Sequence, residues 1–194
     1  MTAAHVDLLW LPVGAGGHVV VHTSRWWEQA QARREHRAPR PLFHAALEAF
    51  VGGNRHVIEM GPAWGMRDPS RGVLVTGPVG MRALGRSRLF RYEVRCWRDG
   101  DLPDRAFAVG TSMRFAMPEP EARALLRRVA DVPVLTWGRD AFGVGDMWHS
   151  NSLVSWLLQT SGVDAATIVP PDNGSAPGWA SGLVAARLTP PQGR

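Results

Sequence analysis

The chain has 194 residues, 45% of them hydrophobic and 20% charged, the profile of a soluble globular domain and not of a disordered or fibrous chain. No apolar run reaches the roughly 20 residues of a membrane-spanning helix, because Arg, Gly, Pro or Asp interrupts every candidate stretch. All 22 basic residues are Arg, which excludes Schiff-base catalysis, a P-loop lysine or any catalytic ammonium from within this chain.

The formal charge of +5 is spread over scattered groups such as Arg33, Arg34, Arg37 and Arg40, or Arg82, Arg86, Arg88 and Arg91. No basic stripe with interleaved aromatics and no reading motif is visible, so nucleic acid is not expected as a partner. The single cysteine, Cys96, can form neither an internal disulfide nor a Cys-rich metal site. The opening Met-Thr-Ala-Ala-His-Val-Asp lacks a basic segment followed by an apolar one, and a cytoplasmic location is expected. One domain over 1–194 is expected, with a core over 42–188 preceded by a hairpin and helix over 5–38.

In chain order, His5 to Leu11 and His18 to His22 read as two strands of a first hairpin around Gly14-Ala-Gly-Gly17. Thr23 or Ser24 then caps a helix through Trp26 and Trp27 that Pro39 and Pro41 end. Leu42 to Val51 and Arg55 to Met60 form the clearest hairpin, since Gly52-Gly53 separates two β-compatible runs. Gly72 to Val75 and Leu89 to Trp97 are further strands, the second alternating Tyr92, Val94 and Cys96 against Arg91, Glu93 and Arg95, as a half-exposed strand does. Pro118 opens a helix carrying Ala122, Leu125, Leu126 and Val129 on one face. Ser150 to Thr160 reads as a second amphipathic helix with Gly162 as its C-terminal cap. Pro170 to Gly178 is loop, and Trp179 to Leu188 a last short element. The expected class is α+β, a mostly antiparallel sheet packed against helices.

Two segments carry candidate chemistry. Ser150, Asn151 and Ser152 open an apolar-faced helix, where a nucleophile gains from positive potential and unpaired N–H groups that also suit an oxyanion. The same residue types are ordinary N-caps. In the hairpin, a Gly52-Gly53 turn places Ala46 opposite Glu59, and His44 becomes Glu59's diagonal neighbour on the same face. A carboxylate beside a histidine is the base-and-orienter half of a nucleophile–His–acid arrangement. A strand histidine is also a common structural hydrogen-bonder.

Other readings are weaker. Cys96 lies mid-strand, where a buried, inert thiol is usual. His18 and His22 share one strand face and with His44 or Glu59 could ligate a metal, but no third ligand is fixed, so neither a metal nor any other cofactor is expected. Gly14 to Gly17 precede a strand and not a helix, which removes the context of a phosphate cradle. No carboxylate pair is fixed at glycosidase spacing.

Taken together, a strand His, a return strand with a polar residue and an Asn/Ser pair at a helix start resemble the circularly permuted papain-like fold of NlpC-type and lecithin retinol acyltransferase-like proteins. In those families a strand His precedes a catalytic Cys at a helix N-terminus, written Asn-Cys-x-x-Phe. Here His149-Ser150-Asn151-Ser152-Leu153 takes that place, with Ser150 where the Cys stands and His149 in place of the preceding Asn. Tyr92-Glu93-Val94, Asn151-Ser152-Leu153 and Pro170-Pro171 are similar to pieces of an uncharacterised bacterial group with an Asn-Ser-Asn-Ser/Thr-Phe motif, and the resemblance spans about 44–179. It implies acyl hydrolysis or transfer on a small-molecule or peptide/acyl substrate. Ser150 would be nucleophile, His44 base and Glu59 orienter, while His149, Asn151 and Ser152 would bind substrate or oxyanion. The Ser in place of Cys favours the alternative, an inactive protein that keeps the papain-like cleft and binds an acidic or aromatic ligand.

Overall fold

The computed structural model describes residues 3–14, 28–29, 32–33, 36–63 and 72–190. Its frame is a six-stranded sheet of order β4-β5-β3-β2-β1-β6 in which every neighbouring pair is antiparallel. The strands are β1 (His5–Pro12), β2 (Phe43–Val51), β3 (Asn54–Pro62), β4 (Val73–Pro78), β5 (Arg91–Arg98) and β6 (Met113–Ala116). Three α-helices follow among the described residues, α1 (Glu119–Arg128), α2 (Ser150–Thr160) and α3 (Trp179–Leu188). The expected α+β architecture, a mostly antiparallel sheet against helices, is the one found. No described helix is long and apolar enough to cross a membrane.

Strand alternation sorts the sheet into two faces. Val6, Leu8 and Trp10 of β1, Phe43, Ala45 and Leu47 of β2, Ile58 and Met60 of β3, and Tyr92 and Val94 of β5 join the helices in the main core. α2 is buried along most of its length, from Ser150 to Leu158. Arg128, at the end of α1, donates to the Thr160 carbonyl at 2.7 Å and to Ser161 Oγ at 3.0 Å, which serves the unpaired carbonyls at the C-terminus of α2. The opposite face buries a smaller cluster of Leu9, Leu11, Ala46, Val57 and Leu102.

That second face also carries a row of buried charges. Asp7 of β1 and Glu48 of β2 are direct cross-strand partners, an arrangement that repels unless cations intervene. Arg114 of β6 grips Asp7 with two bonds of 2.8 Å. Glu48, 1% exposed, accepts from Arg105 at 2.8 and 3.0 Å and from Arg55 at 2.7 Å. These guanidinium groups hold the Glu48 carboxyl below its usual range against the opposing effect of burial.

Several expected elements shift. β1 is an inner strand, because β2 pairs along its whole length and β6 pairs from His5 to Leu8. The expected strand 18–22, the part of its turn from Ala15 to Gly17 and the helix start at 23–27 lie outside the described residues, as do His18 and His22. β5 is not half-exposed: Glu93 and Arg95 are both buried, because Arg95 Nε donates to Glu93 at 3.1 Å and Arg95 Nη1 to Glu59 at 2.7 Å. The hairpin β2–β3 has the expected register, Val51 opposite Asn54 and Leu47 opposite Ile58, with Gly52 and Gly53 at φ of +58° and +79°, a conformation glycine adopts at little cost.

Candidate active site

The site forms where β2 parts from β3. Their pairing ends at Leu47↔Ile58, which leaves the backbone of Phe43 and Ala45 without a strand on that side. α2 fills the gap end-on. Ala45 N–H donates to Asn151 Oδ1 at 2.7 Å, and Asn151 Nδ2 donates to the carbonyls of Phe43 and Pro177, both at 2.9 Å. Phe43 N–H reaches the Ser175 carbonyl at 2.9 Å. The start of α2 is thereby fixed against the strand that carries His44.

Ser150 Oγ sits between two imidazoles, 2.7 Å from His44 Nδ1 and 2.9 Å from His149 Nδ1. A hydroxyl has one proton to give. One ring therefore accepts that proton at Nδ1 while the other donates its own Nδ1–H to Oγ. Burial lowers the pKa of His44 to about 4. Burial, and then the neighbouring His44, lower that of His149 to about 3. With those lowered values both rings are neutral at pH 7, and the shared hydroxyl needs at least one of them neutral as acceptor. Trp137 packs on His149 with ring centroids 4.4 Å apart, and Ser150 itself is 0% exposed.

The structure brings together His44, His149 and Ser150 and gives the remaining candidates other work. Glu59 lies directly opposite Arg95 in the β3–β5 ladder and pairs with it at 2.7 Å, so the expected His44–Glu59 couple is replaced by an ion pair. No carboxylate enters the shift of His44, which burial alone sets. Asn151, expected to bind substrate or oxyanion, spends its side-chain oxygen and both amide hydrogens on the backbone. Ser152 accepts from His149 N–H at 2.9 Å and donates to the Gly178 carbonyl at 2.7 Å, and its own N–H bonds the His149 carbonyl at 2.9 Å. Among the described residues, the amides of Ser150 and Asn151 at the first turn of α2 have no hydrogen-bond acceptor.

Further residues shape the site without a sequence signal of their own. The Asp146 carboxylate accepts from Gly178 N–H at 2.7 Å and Ala180 N–H at 3.0 Å, capping α3 as an N-terminal carboxylate does. A Cβ on Gly178 would stand 2.7 Å from both His149 Cβ and Ser152 Oγ, and one on Gly182 would stand 2.2 Å from the Ser152 carbonyl oxygen. These glycines let α3 press against α2 behind Ser150. Cys96 is partly buried and its thiol is pushed up to about 11 by burial, which removes it as a nucleophile at neutral pH. No group of three metal-ligating side chains occurs among the described residues. No family model, curated protein or solved structure matches the chain.

Proposed function

We propose that the protein is an acyl hydrolase or acyltransferase in which Ser150 is the nucleophile and His44 its base. The observation that supports this reading is the 2.7 Å contact between Ser150 Oγ and His44 Nδ1 at the start of a helix, the nucleophile–base spacing that covalent catalysis needs. The resemblance to permuted papain-like proteins, carried by His149-Ser150-Asn151-Ser152-Leu153, points the same way.

In the acyl-transfer step Ser150 Oγ attacks the carbonyl carbon of the substrate as its proton passes to His44 Nδ1. His149, as the Nδ1–H tautomer, steadies the oxygen from its other side. The tetrahedral oxyanion is met by the N–H groups of Ser150 and Asn151. Collapse of the intermediate expels the leaving group, which takes the proton from His44, and water or an acyl acceptor then releases the product by the reverse sequence. With a pKa near 4, His44 is a free base throughout neutral pH but a weaker one than an imidazole tuned near 7. Asn151 is a positioning residue in this scheme.

A second reading, a non-catalytic binding protein for an acidic or aromatic ligand, is favoured by the complete burial of Ser150 and by the commitment of Glu59 to Arg95. Intact-mass analysis after treatment with a serine-directed fluorophosphonate separates the two. A single adduct lost in both Ser150→Ala and His44→Ala supports acyl chemistry. Absence of an adduct on folded protein supports the binding reading.

A further inference from the structure

The positive charge of this chain is not evenly neutralised. On the charged face of the sheet, Arg55, Arg95, Arg105 and Arg114 each hold a carboxylate. A pocket of about 600 Å³ beside β4 has the opposite character: Arg82, Arg86, Arg91 and Arg139 line it, and no Asp or Glu does. Among the described residues, none of these four is ion-paired.

Three separate segments bring the four cations together, the turn Arg82–Arg86, the start of β5 and the stretch between Val134 and Ala141. Two of the guanidinium groups are already oriented. Arg91 Nε donates to the Gly85 carbonyl at 2.5 Å and Arg139 Nε to the Gly80 carbonyl at 2.6 Å, which leaves their terminal nitrogens to face a ligand. Asp140, the nearest acid in sequence, turns its carboxylate to the amides of Phe142, Val144 and Gly145 at 3.3, 3.1 and 2.8 Å, so it does not quench the pocket. Gathering four like charges costs free energy that an anion offsets, and planar guanidinium forks suit phosphate or carboxylate oxygens. The volume lies within the range of small-molecule sites.

We infer that this arginine pocket binds an organic oxyanion, a phosphate-bearing ligand above all. The pocket stands apart from the Ser150 chemistry in its residues, and Thr136 and Arg139, which line it, flank the Trp137 that packs on His149.

The test is calorimetric titration of the full chain with inorganic pyrophosphate, and in parallel with phosphatidylcholine vesicles carrying phosphatidic acid, at about 0.15 M salt to screen unspecific attraction. Arg82→Gln/Arg86→Gln is compared with Arg127→Gln/Arg187→Gln, which removes the same charge from exposed helix positions outside the pocket. Arg82 and Arg86 are exposed and the turn that carries them buries no residue, so the pocket variant is expected to fold. The expected result is pyrophosphate binding weakened about tenfold or more in the pocket variant and unchanged in the control. Binding to vesicles alone with the same variant pattern would identify a lipid headgroup as the phosphate's source. No binding by wild-type protein to either probe, or equal loss in both variants, overturns the inference.

Discussion

Asn151 does for Ala45 what a neighbouring strand would otherwise do: its Oδ1 takes the Ala45 N–H at 2.7 Å while its Nδ2 returns a bond to Phe43 one residue away from His44. A primary amide carries the same donor and acceptor as a peptide group, so α2 can abut a strand where no strand is present. Asn151→Ala leaves a buried N–H and a buried carbonyl unpaired, and each such group costs about 1–3 kcal/mol. We expect a loss of about 2–4 kcal/mol in urea denaturation. Asn151→Asp is expected to be no better, since it keeps the acceptor, removes both donors and buries a charge. Retention of wild-type stability by Asn151→Ala would contradict the clamp.

The two histidines make stability depend on acidity with a definite sign. Their folded-state pKa values, about 4 for His44 and about 3 for His149, lie below the unfolded value of about 6.5. The unfolded chain therefore takes up protons first as pH falls, and stability declines from about pH 6.5 down through the folded values. Each histidine contributes a slope of up to about 1.4 kcal/mol per pH unit in that window. Urea midpoints measured from pH 7.5 to 4.5 should fall less steeply in His149→Gln than in wild type.

Gly182 reverses the usual rule for helix glycines. Replacing a helical glycine by alanine ordinarily stabilises by about 0.5–1 kcal/mol, but here the new Cβ would meet Ser155 Oγ at 2.1 Å as well as the Ser152 carbonyl. Gly182→Ala is expected to cost about 1–3 kcal/mol as an overpacked core does. Adding Ser155→Ala should not restore stability, because the backbone oxygen of Ser152 stays in place.

The buried ion pairs should outweigh the exposed one. Removing Glu48, a carboxylate 1% exposed whose partners Arg55 and Arg105 reach solvent at 28% and 54%, is expected to cost about 1–3 kcal/mol in Glu48→Ala, since the arginines can be hydrated once it is gone. Glu119→Ala, which breaks the solvent-exposed pair with Arg123 one helical turn away, should cost well under 1 kcal/mol. Thermal unfolding of the two variants side by side checks the ordering.

Cys96 should behave as a spectator. With its thiol pushed up to about 11, native protein at pH 8 should react with iodoacetamide far more slowly than urea-unfolded protein. Cys96→Ser should leave any fluorophosphonate adduct on Ser150 unchanged, whereas transfer of the adduct requirement to Cys96 would refute the assignment of the nucleophile.

Local signals were legible and distant partners were not. The Gly52-Gly53 turn and its two flanking runs determine the β2–β3 register within 20 residues, and the apolar spacing after Ser150 marks α2. β6 left no trace, because four residues at a sheet edge owe their conformation to β1, more than a hundred positions earlier. The alternation in β5 suggested a solvent face, since a pattern of charged residues does not distinguish water from a buried counter-ion. The Glu59 expectation failed for the same reason. The register behind it holds only as far as Leu47↔Ile58, where β2 parts from β3, and Arg95 on the opposite neighbour takes the carboxylate. Asn151 was legible as a polar residue at a helix start, a position that suits a cap, an oxyanion donor or a clamp equally well, and only the parting of β2 from β3 decides among them.

His44 and Ser150 meet across 106 positions of chain. At a synthesis rate of about 5–20 residues per second, roughly 5–20 s separate their emergence from the ribosome. Through that interval β2 has no Asn151, and the backbone at Phe43 and Ala45 is an uncovered edge able to pair with another chain. The residue that holds Ser150 against His44 thus also covers an open edge of the nascent protein, and loss of the Asn151 amide should lower soluble yield during expression.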